Sequence, residues 1–189
     1  MFAVTERLLL RPGWVDDAPA LQRAIAHEDV VKKLSPVPWP YTVDDARSFL
    51  SVPRAEDDAT FLIFTRTQGT PRLIGCVGLH DTDGDKEIGY WLSPDHWGLG
   101  FATEAARAVV DIARHSLRLP RLVSGHFIDN PASGHVLQKV GFRPTGRIEP
   151  RKCVARGHDV PCLLYALDFS DDGDGDVESD MNHRPRLAA

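Results

Sequence analysis

The chain has 189 residues, 42% of them hydrophobic and 26% charged, with a formal net charge of −5 at pH 7. This is the composition of a soluble globular protein long enough to bury one core, and no apolar run nears the roughly 18 residues a membrane span needs. Residues 170–189 hold six acids and two arginines, so the rest of the chain carries a net charge of only −1, which argues against a nucleic-acid face. The reading is one domain over 1–169 and an acidic, disordered tail over 170–189. The start MFAVTERLLLRP lacks a basic segment before its apolar part, and Cys76, Cys153 and Cys162 have no CxxC spacing. Both features suit a cytoplasmic protein with no membrane partner. Base rates alone suggest a homodimer.

In chain order, TERLLLRP (5–12) reads as a strand ended by Pro12-Gly13. Asp16 or Asp17 then caps a helix running to about Lys33, with Leu21, Ile25 and Val30 near helical spacing. SPVPWPYT (35–42) has three prolines and two aromatics and is a loop, after which Thr42 or Asp44 starts a short helix through Leu50. ATFLIFTRT (59–67), a turn at Gln68-Gly69, RLIGCVGLH (72–80), the loop DTDGD and KEIGYWLSP (86–94) form an antiparallel meander. A helix beginning near Ala102 presents Ala105, Ala106, Val109, Ile112 and Ala113 on one face. PRLVSGHFID (120–129) is a strand, and NPASGHVLQKVGF is a helix with Asn130 as N-cap, Pro131 at its first position and Gly141 closing it. RPTGRIE and DVPCLLYALDF (159–169) are the last strands. The fold class is mixed α/β, predominantly antiparallel at first, with a strand–loop–helix unit at its centre.

That central unit, DHWGLGFATEA (95–105), places two glycines directly before a helix. The first turn of a helix has amides without intrahelical partners at the positive end of its dipole, and glycine lets the backbone approach an anion. The amides of Leu99, Gly100, Phe101, Ala102 and Thr103 therefore suit a diphosphate. A mononucleotide P-loop would need Lys-Ser or Lys-Thr after the glycines, and a dinucleotide fingerprint would need a third glycine where Thr103 stands. The eight histidines include no HExxH partner, so no metal is expected.

EIGYWLSPDHWGLGFATEA followed by NPASGHVLQKVGF resembles the GNAT superfamily of acyl-CoA-dependent N-acyltransferases, and within it the RimJ/RimL-like group. The family's Arg/Gln-x-x-Gly-x-Gly/Ala motif reads here as Trp97-Gly98-Leu99-Gly100-Phe101-Ala102, with Trp97 departing from Arg or Gln in a way familiar from that group. The resemblance implies a central, mostly antiparallel sheet flanked by helices, in which strand 87–93 splays from strand 121–127. It implies acetyl-CoA in the opening, its pantetheine arm pairing with backbone near Tyr90, Trp91 and Leu92, as an added strand does. It implies an amine acceptor, a protein N-terminus or a small molecule, attacking the thioester directly in a ternary complex. Loops 35–42 and 150–158 would wall the acceptor, with Pro36, Trp39 and Tyr41 as candidate lining. A different small amine, a longer acyl donor, or a non-catalytic acyl-CoA-binding module are the alternatives.

Within that resemblance Asn130 either caps its helix or contacts the cofactor arm, and Ser133 either presents its hydroxyl to the CoA sulfur or caps the first turn. The tyrosine that many members carry seven residues after the Asn is Leu137 here. An amine of pKa about 8 to 10 must lose a proton before attack. Glu87 is either a base acting through water or a solvated edge carboxylate, His80 either a base or a structural histidine, and Glu149 a third choice. Glu104 is read as favouring the helix dipole.

Overall fold

The computed structural model describes residues 1–53, 59–67 and 69–169. The expected turn residue Gln68 and the acidic tail over 170–189 lie outside them. In order, the elements are β1 (Ala3–Val4), β2 (Leu8–Arg11), α1 (Ala18–Ile25), α2 (Glu28–Val31), α3 (Val43–Ser51), β3 (Phe61–Thr65), β4 (Arg72–Thr82) and β5 (Asp85–Leu92). There follow α4 (Phe101–Asp111), which continues in wider turns to Ser116, then β6 (Arg121–Phe127), α5 (Pro131–Lys139), β7 (Arg143–Cys153) and β8 (His158–Asp168). They build one eight-stranded sheet in the order β1-β2-β3-β4-β5-β6-β8-β7, antiparallel except at β5–β6.

Both faces of the sheet are covered, which is why β3 reads as the unbroken apolar run Phe61-Leu62-Ile63-Phe64. Phe61 and Ile63 pack on one side with Ala105, Ala106, Val109 and Ala113 of α4 and its extension, and with Leu137 of α5. Leu62 and Phe64 pack on the other with Leu21 and Ile25 of α1 and Leu50 of α3. The alanine-rich face of α4 lets the helix backbone lie close to the strands.

Three elements differ from the sequence reading. The helix expected to reach Lys33 breaks at Ala26, which turns to ψ 57, and His27 is extended before α2 begins. The break turns Val30 and Val31 into the core with α1, which helical periodicity cannot foresee. The loop DTDGD is a two-residue turn, Asp83-Gly84, with both φ values positive, so β4 and β5 pair as far as Thr82↔Asp85. Strand β7 extends past Glu149 to Cys153, and its hairpin with β8 is held against the end of α2: Val154 N donates to Ser35 O, and Ser35 Oγ to Lys152 O.

Candidate active site

The sheet opens where the parallel pair β5–β6 begins. Strands β5 and β6 are in register at Glu87↔Val123, and Ser124 Oγ donates across to Ile88 O at 2.9 Å. Ser93 N donates instead to Ile74 O on β4. Backbone groups alternate sides along a strand. The amides of Ile88, Tyr90 and Leu92 therefore face the opening, while those of Gly89 and Trp91 face β4. Of the expected trio, Trp91 pairs with Cys76, and its side chain packs on the α1–α3 face. Trp97 Nε1 donates to Leu92 O at 2.8 Å, so the residue that departs from the general motif closes the turn after β5, with Lys33 Nζ 4.2 Å above its ring.

The glycine loop follows. Gly98 has φ +73, and Gly100, at φ +82 and ψ 0, stands as the N-cap of α4. These are left-handed conformations that side chains disfavour. The first helical bond of α4 runs from Glu104 N to Gly100 O, so the amides of Phe101, Ala102 and Thr103 have no intrahelical acceptor. Asn130 is the N-cap of α5 by position, but its side chain makes no capping bond.

On the α4–α5 face, Tyr90 Oη donates to Ser133 O at 2.9 Å and lies 3.0 Å from Ser133 Oγ. Burial pushes the Tyr90 phenol well above its usual pKa despite the Ser133 hydrogen bond, so it stays protonated. Gly134 is required beside it, because a Cβ there would lie 2.6 Å from His126 Nε2. That ring is buried, 5.5 Å from Tyr165, with Nδ1 against Phe127 O.

On the opposite face, Glu87 is neither solvated nor free. It is only 5% exposed, and Arg151 of β7 donates to both carboxylate oxygens, Nη1 at 2.5 and Nη2 at 3.1 Å. Burial works to lower the Arg151 pKa, but the Glu87 hydrogen bond and charge outweigh it and raise it. His80, the cross-strand partner of Glu87, is largely exposed with Nε2 3.9 Å from that carboxylate and Cε1 3.7 Å from where a Cβ on Gly89 would stand. The ring thus lies over a residue without a side chain, beside the opening. Glu149 pairs with Arg147 on the surface instead. Of the expected acceptor lining, Trp39 is exposed, but Tyr41 is buried in the core beside Ala46 and Leu50. A hollow of about 570 Å³ does open on this side, between Lys32 and Lys33 of the first helical pair, Asp129, and Arg156 and His158 of the last hairpin.

The sequence profile of the acetyltransferase (GNAT) domain family matches residues 7–143. The chain belongs to this family. An N-acetyltransferase called p20, from Bacillus licheniformis, is 30% identical over 170 residues, covering 86% of this chain and 93% of its own. A ribosomal-protein-serine acetyltransferase of Escherichia coli is 30% identical over 109 residues, 56% of this chain and 58% of the relative. The structure of Mycobacterium smegmatis RimJ in complex with CoA-disulfide superposes with a TM-score of 0.71 at 25% identity, covering 88% of this chain and 84% of that one. The GNAT chain is an acetyltransferase, with likeness to RimJ/RimL-type relatives. No helix among its described residues is long and apolar enough to cross a membrane.

Four groups beside the opening and its glycine loop are not signalled by any sequence spacing: Arg7, Arg151, His126 and the hydroxyl of Tyr90. Arg7 meets Leu99 across 92 positions and Arg151 meets Glu87 across 64, separations at which no spacing rule operates. Glu104 does more than favour a dipole. It accepts from Thr5 Oγ1, Arg7 N and Arg7 Nε at 2.6, 2.8 and 2.7 Å. Burial works to raise its pKa, but these donors outweigh burial and hold the carboxyl below its ordinary value. A depressed folded-state pKa means that the carboxylate stabilises the fold above its unfolded pKa of about 4.3 and loses this contribution as pH falls through the folded value. Glu104→Gln should therefore flatten the loss of urea stability as pH falls below about 4.3; parallel acid limbs in variant and wild type would count against the assignment.

Proposed function

We propose that this GNAT protein transfers an acetyl group from acetyl-CoA to a primary amine, a protein N-terminus or a small amine, by direct attack in a ternary complex. The observation that carries the reading is the opening between β5 and β6: it has the glycine loop at one end and protonatable groups on both of its faces. The residues suit the cofactor. Amides from Leu99 to Thr103 around Gly98 and Gly100 would hold the diphosphate, the backbone of Tyr90 and Leu92 and the side chain of Asn130 the pantetheine arm. The RimJ relative's CoA-disulfide complex and the ribosomal-protein-serine acetyltransferase support this choice of cofactor and acceptor class.

In the reaction the amine nitrogen bonds to the thioester carbon and the carbon–sulfur bond breaks. The amine must lose a proton, and the departing thiolate gains one. Glu87 is held by Arg151, so His80 takes the amine proton, directly or through a water. On the other face Ser133 hands its proton to the thiolate and regains one from water, with Tyr90 Oη, 3.0 Å away, holding the serine in place. A free amide of Tyr90 or Leu92 steadies the negative carbonyl oxygen.

Thiol release from acetyl-CoA, assayed over peptides with free N-termini, polyamines and aminoglycosides, tests the reading. Acceptor-dependent release is expected; CoA binding without release on any amine would overturn it, and release only with longer acyl-CoA would correct the donor. Ser133→Ala should lower kcat by about tenfold to a hundredfold and change the KM for acetyl-CoA much less. Wild-type kcat in that variant would reduce Ser133 to a helix residue.

A further inference from the structure

Arg7, just ahead of β2, meets the loop–helix junction at three points. Its Nη1 donates to Leu99 O at 2.9 Å, its main-chain N–H and Nε donate to Glu104, and its guanidinium lies 4.5 Å from the centre of the Phe101 ring. Its Nη2 is 3.4 Å from the position a Cβ on Gly100 would take. Only a planar fork of donors serves a carboxylate and a carbonyl in this way.

The Leu99 carbonyl and the Gly100 N–H belong to one trans peptide, whose C=O and N–H point in opposite directions. Drawing the carbonyl toward Arg7 turns the Gly100 N–H away from Arg7. Gly100, on one side of this peptide, lacks a Cβ to hold its φ, so without Arg7 the peptide's orientation would be set only when an anion arrived. Arg7 also neutralises Glu104, a carboxylate in the first turn of α4 that would otherwise repel a diphosphate.

We propose that Arg7 is a positioning residue for the diphosphate of acyl-CoA, presetting the Leu99–Gly100 peptide and offsetting the Glu104 charge. The inference rests on the acetyl-CoA reading above. The deciding experiment compares Kd values for CoA and for pantetheine, which has the arm without the diphosphate, in wild type, Arg7→Met and Arg7→Lys. In Arg7→Met the preference for CoA over pantetheine should fall about tenfold. Arg7→Lys, which keeps the charge and guards against a Met variant that does not fold, should lose most of the same preference, because one ammonium cannot hold Glu104 and Leu99 O together. An unchanged preference in the folded Lys variant, or equal losses for both ligands, would overturn the proposal. A wild type that fails to bind CoA would instead overturn the cofactor reading.

Discussion

Gly100→Asp is expected to raise the Kd for CoA at least about a hundredfold while the protein remains folded. At φ +82 an L-residue is strained, but aspartate tolerates this region better than most. A Cβ there meets only Arg7 Nη2, at 3.4 Å, which is no backbone clash. The damage is electrostatic. Like charges about 4 Å apart at a protein surface repel by about 4 kcal/mol, and partial neutralisation by Arg7 still leaves the roughly 2.7 kcal/mol that a hundredfold loss requires. Gly100→Asn separates the causes, since it has the same shape and strain without the charge, and should lose about tenfold or less. Calorimetric titration with CoA and a melting curve for each variant suffice as the check. A folded Asp variant with wild-type affinity would remove the diphosphate from this loop.

Arg151→Met is expected to destabilise the fold by about 2 to 3 kcal/mol, lowering Tm by about 5 to 10 °C. Breaking a buried ion pair from one side leaves the other charge without compensation, and Glu87 is only 5% exposed. The figure falls below the roughly 3 to 5 kcal/mol of a fully buried pair because the Arg151 side chain is itself 32% exposed. In the double variant Glu87→Gln with Arg151→Met much of the loss should return, since no unpaired charge is then buried. Urea unfolding of the single and double variants measures this directly. A single-variant loss below about 0.5 kcal/mol would class the pair with ordinary surface bridges.

The strands, the apolar face of α4, and the strand–glycine loop–helix order are readable in the chain because each depends on neighbours within a few residues. Period-2 and period-3.6 patterns, the αL demand met by Gly98 and Gly100, and Pro131 opening α5 are local chemistry. The break after Ile25 was hidden because the apolar spacing continues across it into Val30 and Val31. Trp97 marked the group of the family in sequence, yet its indole serves Leu92 O, a use visible only once the turn is closed.

By itself, then, the sequence determined the class of fold, the glycine loop and the helices α4 and α5. Tertiary structure decided which side chains meet beside the opening. Glu87, legible as an exposed edge carboxylate, became a buried partner of Arg151 because the β7–β8 hairpin packs back against the end of α2. Tyr90 became a hydroxyl beside Ser133 because the opening of β5 from β6 seats α5 over that strand. The physical reason is the same in each case. Backbone conformation answers to adjacent residues, whereas burial, ionisation and hydrogen-bond partners depend on segments that only the closed sheet brings within a few ångströms.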